Sequence, residues 1–178
     1  PTEDRILAKK VYDFNQNLVE TIIYVSDNLV RKINSTGTYD TVYVKDENGI
    51  VAEVTNSTKT FYHDDHLGST SLTTNQSEGI SEETFYDPYG AILGGGNKSR
   101  YDYEGKEFSS ETGGYGEGTS DYDFNFRKYD TGLAIFTQPD AVTSNIYDPQ
   151  QLNRYGFEKR NPYKYVDEDG KVAQAVVI

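Results

Sequence analysis

The chain repeats one phrase: an aromatic-led run of alternating apolar and polar residues, a short polar turn, and a second such run. In "TVYVKDENGIVAEVT", strands predicted over Thr41 to Lys45 and Ile50 to Thr55 flank Asn48-Gly49. Glycine takes the positive φ of a tight hairpin turn without steric cost, so this dipeptide is a strong hairpin signal. "TIIYVSDNLVRKI", "TFYHDDHLGSTSLT", "ETFYDPYGAIL", "RYDYEGKEF" and "DFNFRKYDTGLAIF" carry the same phrase. Recurring at a spacing of roughly twenty residues, such a hairpin cannot bury its own face and must stack on its neighbour. The expected fold class is therefore all-β, with stacked hairpins paired into a sheet and little helix. Only "DPQQLNRYGFEKRNP", with Pro149 early and Pro162 at its end, predicts a helical turn or two. "ILGGGNKS" and "ETGGYGEGTSD" read as glycine-rich loops, the second long enough to be mobile.

The apolar contacts of such a sheet must come largely from tyrosine. The 178 residues include 16 Tyr and 8 Phe but no Trp, at a mean hydropathy of -0.74. Tyrosine rings can pack while their hydroxyls stay wet or find partners, which suits wide, thin β-structure. With 17 Lys and Arg against 29 Asp and Glu, the formal net charge is -12. A field of that sign repels phosphate backbones and anionic membranes, so nucleic acid is not an expected partner. No run approaches the roughly 18 apolar residues of a membrane span, and membrane insertion is not expected. There is no Cys, which removes disulfides and thiolate metal sites. There is no Met either, so a chain beginning "PTEDRIL" is expected to be a processed product or a piece of something longer.

The only two histidines, His63 and His66, enclose Asp64 and Asp65. A zinc or iron site needs three or four converging ligands, but in a strand His63 and Asp65 face one side and Asp64 and His66 the other. The stretch is read as a turn. "KDENG" and "VDEDG" cluster oxygens beside glycine without the distant Glu of a calcium loop, and read as solvated hairpin turns. Gly94 to Gly96 lack the Lys of a phosphate loop and read as a linker. No cofactor and no metal are expected. Asn-x-Ser/Thr sequons at Asn34, Asn56, Asn75 and Asn97 are candidate glycosylation sites. The tail Val172, Ala173, Gln174, Ala175, Val176, Val177 and Ile178 is β-prone and uncharged. It can close the sheet internally or add as a strand to a neighbouring subunit.

"YHDDHLGSTSLTT", "FYDPYGAIL", "YEGKEFSSETGGY", "RKYD", "FTQPD" and "LNRYGFEKRNPYKYVDEDGK" occur in that order. With them the chain resembles the C-terminal core of RHS-repeat (YD-repeat) proteins, from Phe61 to Lys171. The Tyr-Asp dipeptide stands at Tyr12-Asp13, Tyr39-Asp40, Tyr86-Asp87, Tyr101-Asp102, Tyr122-Asp123, Tyr129-Asp130 and Tyr147-Asp148. The resemblance implies YD-repeat-like hairpins over 1–60, a core-like segment over 61–171 and the tail over 172–178, together one structural unit. It implies a β-ribbon coiled into a hollow shell, which in toxin relatives encloses a C-terminal toxin and in cell-surface relatives serves adhesion. Some members cut themselves with a pair of aspartates, and these fall on Asp140 of "TQPDA" and Asp167 of "YVDEDGK", with the cut after Lys171. Two carboxyls that share a proton can supply base and acid for such a cut. Here Ala141 and Glu168 replace the family's prolines after the aspartates. Ala134-Ile135-Phe136 replaces a Gly-Arg-Phe, which removes a cation expected beside the pair.

The sequence thus points to an extracellular structural module that assembles with itself into a filament or shell, or with other parts of a YD-repeat shell, by strand pairing and without catalysis. The terminal plug of a toxin cocoon, self-cleaving through Asp140 and Asp167, is the alternative. A surface adhesion module is a second.

Overall fold

The computed structural model describes residues 6–109, 120–141, 147, 149–171 and 174–175. The fold is all-β, and the chain divides into two compact units, 1–63 with 73–81, and 64–72 with 82–178.

The hairpins read from the sequence form one sheet in strict chain order. Its strands are β1 (Ala8–Tyr12), β2 (Leu18–Ser26), β3 (Leu29–Asn34), β4 (Gly37–Lys45), β5 (Ile50–Thr55), β6 (Thr58–Asp64), β7 (Thr70–Asn75) and β8 (Ile80–Glu83). The turns carry the expected chemistry. Between β4 and β5 the Asp46 carboxylate accepts from the N–H of Asn48 at 2.7 Å and of Gly49 at 3.1 Å. Between β5 and β6 Asn56 and Ser57 both have positive φ, 49° and 68°, the pattern that matches a two-residue turn to the strand twist.

In the first unit alternation sorts the side chains into two faces. Ile22, Val30, Tyr43 and Tyr62 are buried on one, where the Tyr62 hydroxyl donates to Glu53 at 2.9 Å. The other face leaves Ile33, Val42, Val44 and Phe61 exposed, beside the ion pair of Arg31 and Asp40.

The second unit builds its core from aromatic rings. It contains the short pairs β9 (Phe85–Tyr86) with β10 (Ile92–Gly94), and β15 (Tyr165–Val166) with β16 (Gln174–Ala175). A four-stranded sheet runs in chain order through β11 (Glu107–Ser109), β12 (Asp121–Asp123), β13 (Lys128–Asp130) and β14 (Ile135–Phe136). Tyr103, Tyr122, Phe124, Tyr129, Phe136 and Phe157 form the core, none more than 2% exposed. Tyr129 stacks on Phe157 at 4.0 Å, and Phe124 meets Phe136 edge-on at 5.6 Å.

Each buried tyrosine hydroxyl then needs an acceptor. The turn joining β9 to β10 supplies three: Tyr103 donates to Pro88 O at 3.0 Å, Tyr129 to Tyr89 O at 2.8 Å and Tyr122 to Gly90 O at 3.2 Å. Asp87 holds that turn by accepting from the N–H of Tyr89 and Ala91. The Tyr86-Asp87 dipeptide therefore joins a packing ring to a turn cap.

Three expectations need refinement. "RYDYEGKEF" is not a plain hairpin, because a 3-10 turn over Tyr103–Gly105 separates the bridge partners Tyr101 and Glu107. Gly94 to Gly96 are not a free linker. Gly94 ends β10, Gly95 and Gly96 have φ of +77° and +70°, and a Cβ on Gly95 would lie 2.0 Å from the Glu83 carbonyl oxygen. The helical signal resolves into 3-10 turns at Pro149–Gln151 and Glu158–Arg160. The loop read in "ETGGYGEGTSD" lies outside the described residues apart from Ser120 and Asp121.

Two substitutions probe this packing in urea titrations. Tyr129→Phe leaves the Tyr89 carbonyl without its hydroxyl and is expected to cost about 1 kcal/mol. Gly95→Ala forces a side chain into left-handed backbone against a carbonyl and is expected to cost more than about 1 kcal/mol.

Candidate functional site

The site is built around Arg127, which the turn between β12 and β13 carries inward. Its side chain is 7% exposed and lies over the Phe136 ring at 3.5 Å. Nη2 meets Asp167 Oδ2 at 3.1 Å, and Nη1 faces Asp140 Oδ2 at 3.7 Å. Nε donates to the Gly170 carbonyl, and Nη1 also donates to Arg154 O at 3.3 Å. One planar guanidinium thus spreads its fixed donors over two carboxylates and two carbonyls, which a lysine could not reproduce.

The two aspartates are held differently. Asp167 is 1% exposed, and its Oδ1 accepts from Gly170 N at 2.9 Å and Lys171 N at 3.0 Å. Burial pushes its carboxyl upward in pKa, while Arg127 and those two N–H groups oppose the rise. Asp140 is anchored through its backbone, whose N–H donates to Arg154 O at 2.8 Å and whose carbonyl accepts from the Arg154 side chain. Burial also lowers the Arg127 pKa, opposed first by Asp140 and then by Asp167.

The structure therefore brings Asp140 and Asp167 to one group, each on its own nitrogen of Arg127. The expectation that Ala134-Ile135-Phe136 removes the cation beside this pair is corrected, because Arg127 supplies it from another strand end. Sequence reasoning missed Arg127 by reading it only as the start of "RKYD". An arginine between Phe126 and a strand aimed at the core is the signal that could have found it.

Of the other candidates, His63 and Asp64 are the last residues of β6, and only Asp65 and His66 lie in the connection to β7. Asp65 Oδ1 accepts from Leu67 N at 2.8 Å and Ser69 N at 2.9 Å, and His63 Nε2 is hydrogen-bonded to Thr74 Oγ1 at 3.0 Å. No three His, Cys, Asp or Glu among the described residues are grouped to hold a metal ion. Asn56 lies exposed in its hairpin turn, whereas Asn34 and Asn75 spend their Oδ1 on neighbouring N–H groups and Asn97 donates to Gly95 O. Of the tail only Gln174 and Ala175 are described, paired with Val166 and Tyr165; Val172, Ala173, Val176, Val177 and Ile178 lie outside the described residues.

Removing one partner from a buried charge pair leaves the other uncompensated. Arg127→Ala is expected to destabilise the chain by about 3–5 kcal/mol in urea titrations. Asp167→Asn in the same background is expected to recover part of that loss.

No protein-family model matches the chain, and no curated protein matches it by sequence. Among solved structures it is similar to a chain in the crystal structure of TcdB2-TccC3-TEV, at 21% identity and a TM-score of 0.73. That alignment covers 95% of this chain and 8% of the other. It is also similar to chains in the structures of TcdB2-TccC3-Cdc42, at 18% identity and a TM-score of 0.64, and of TcdB2-TccC3 without the hypervariable C-terminal region, at 20% and 0.63. Each of these covers 92% of this chain and 9% of the other. The chain thus spans less than a tenth of the length of these neighbours. At such identity the likeness shows the fold alone, an all-β arrangement similar to that of the aligned segments of these chains.

Proposed function

We propose that the chain is a structural segment of an extracellular YD-repeat-type β shell, joined to other shell strands by sheet pairing and without catalysis. The observation that carries this reading is the Arg127 clamp. An aspartic acid pair works when one carboxyl is protonated and the other is not, so that the two share a proton. A guanidinium that meets Asp167 through one nitrogen and faces Asp140 from another ties each carboxylate to a cation, which suits a fastener between turns. The fold likeness supports the shell reading, and the TcdB2-TccC3 names of its neighbours support association with further shell components. The sequons at Asn34, Asn56 and Asn75, placed at or beside hairpin turns, support an extracellular setting. The pairing of Gln174 and Ala175 with β15 favours closure of the tail within the chain over its donation to a neighbour.

Self-cleavage after Lys171 is the second reading, favoured by the convergence of Asp140 and Asp167 on one group and by the Lys171 N–H on the Asp167 carboxylate. Intact-mass spectrometry of the purified chain after prolonged incubation at pH 4 to 8 separates the two. The full-length mass is expected throughout, for the wild type and for Asp167→Asn alike. A fragment ending at Lys171 that Asp167→Asn abolishes would establish self-cleavage instead.

A further inference from the structure

Beside the Arg127 clamp the second unit buries another carboxyl pair, for which the clamp has no use. Glu104, in the 3-10 turn after β10, is 8% exposed, and Glu158, in the 3-10 turn after Asn153–Phe157, is 1% exposed. Each directly follows a ring of the aromatic core, Tyr103 or Phe157. The two buried carboxyl groups act on one another. Glu104 Oε2 also faces the Asp167 N–H at 3.5 Å, whereas Glu104 Oε1 and both Glu158 oxygens meet no donor among the described residues.

The groups around the pair do not neutralise it. Lys106 is a cation that acts on Glu104, but its Nζ donates to Glu168 O at 2.9 Å and lies 5.2 Å from the Phe124 ring centroid. Asp167 adds a further negative charge, itself held by Arg127. The Tyr103 and Tyr129 hydroxyls are committed to Pro88 O and Tyr89 O. Two bare carboxylates buried beside one another without a bound counter-charge repel strongly, and a proton held by the pair removes that repulsion.

The backbone beneath the pair is strained. Glu104 has φ of 51°, and Glu158, Lys159 and Arg160 have 43°, 52° and 62° in succession. Left-handed backbone disfavours each of these non-glycine residues, and a run of three persists only where packing enforces it.

We infer that Glu104 and Glu158 share a proton and form a latch that fastens the strained turn Glu158–Arg160 to the Asp167 segment, and that loss of the proton releases it. Burial raises both carboxyls, Glu104 to about 7, and proximity to Glu104 raises Glu158 further. The sign follows from linkage. The folded state holds these protons more tightly than the unfolded chain, so the latch contributes fully below the ordinary glutamate value of 4.5. Its contribution is lost as pH rises through the folded values.

The test is the urea midpoint of the full chain from pH 5 to 8, for the wild type, Glu158→Gln and Glu104→Gln. Glutamine keeps the shape and a hydrogen bond but cannot titrate. The wild-type unfolding constant is expected to rise with pH, by up to roughly tenfold per pH unit for one proton held more tightly by the fold. Both variants are expected to show a much flatter profile. An infrared carbonyl band of a protonated carboxyl, present in the wild type at pH 6 and missing from Glu158→Gln, would support the latch independently of folding stability. Parallel profiles in all three proteins, absence of that band, or a wild-type midpoint at pH 7 that rises with added calcium would overturn it.

Discussion

The second unit depends on a single constraint, that a core made of tyrosine must give every buried hydroxyl an acceptor. A phenylalanine core can pack in several ways at similar cost, but a buried hydroxyl without an acceptor forfeits a hydrogen bond. Here Tyr103, Tyr122 and Tyr129 donate to three successive carbonyls of one turn, Pro88, Tyr89 and Gly90. The rings therefore have one register relative to that turn. Gly90 matches this closeness, since a Cβ there would lie 2.7 Å from the Tyr103 ring.

The same core carries an unusual charge load. Arg127, Asp167, Glu104 and Glu158 are all buried among or beside aromatic rings, where desolvation works against each charged form. Arg127 answers the problem with charge, placing its guanidinium between two carboxylates and over Phe136. Among the described residues Glu104 and Glu158 have no such partner, and the proposed shared proton is their answer. Asp167 touches both arrangements, since Oδ2 takes Arg127 while its N–H faces Glu104. The segment after β15 is thereby fastened by an ion pair from one side and by a carboxyl pair from the other.

Much of the first unit was legible because hairpins are local. Alternation in "TVYVKDENGIVAEVT" and its Asn-Gly turn led directly to β4 and β5, whose pairing sets Val44 opposite Ala52 and Tyr43 opposite Glu53. The pair Asp140 and Asp167 was legible as a motif, yet its chemistry was not. Those residues are separated by a long stretch of sequence, and the group that joins them, Arg127, comes from a third place in the chain. Gly95 misled for a related reason, since nothing in "LGGGN" reveals that the Glu83 backbone passes against it.

By itself the sequence determined the all-β class, the hairpin turns, the dependence on tyrosine and the net negative charge, because each follows from periodicity, turn chemistry or composition. Tertiary structure alone decided which carboxyls meet a guanidinium and which meet each other. A buried charge is defined by what the fold brings around it, and Glu104 and Glu158 are ordinary acidic residues until Tyr103 and Phe157 carry them into the same core.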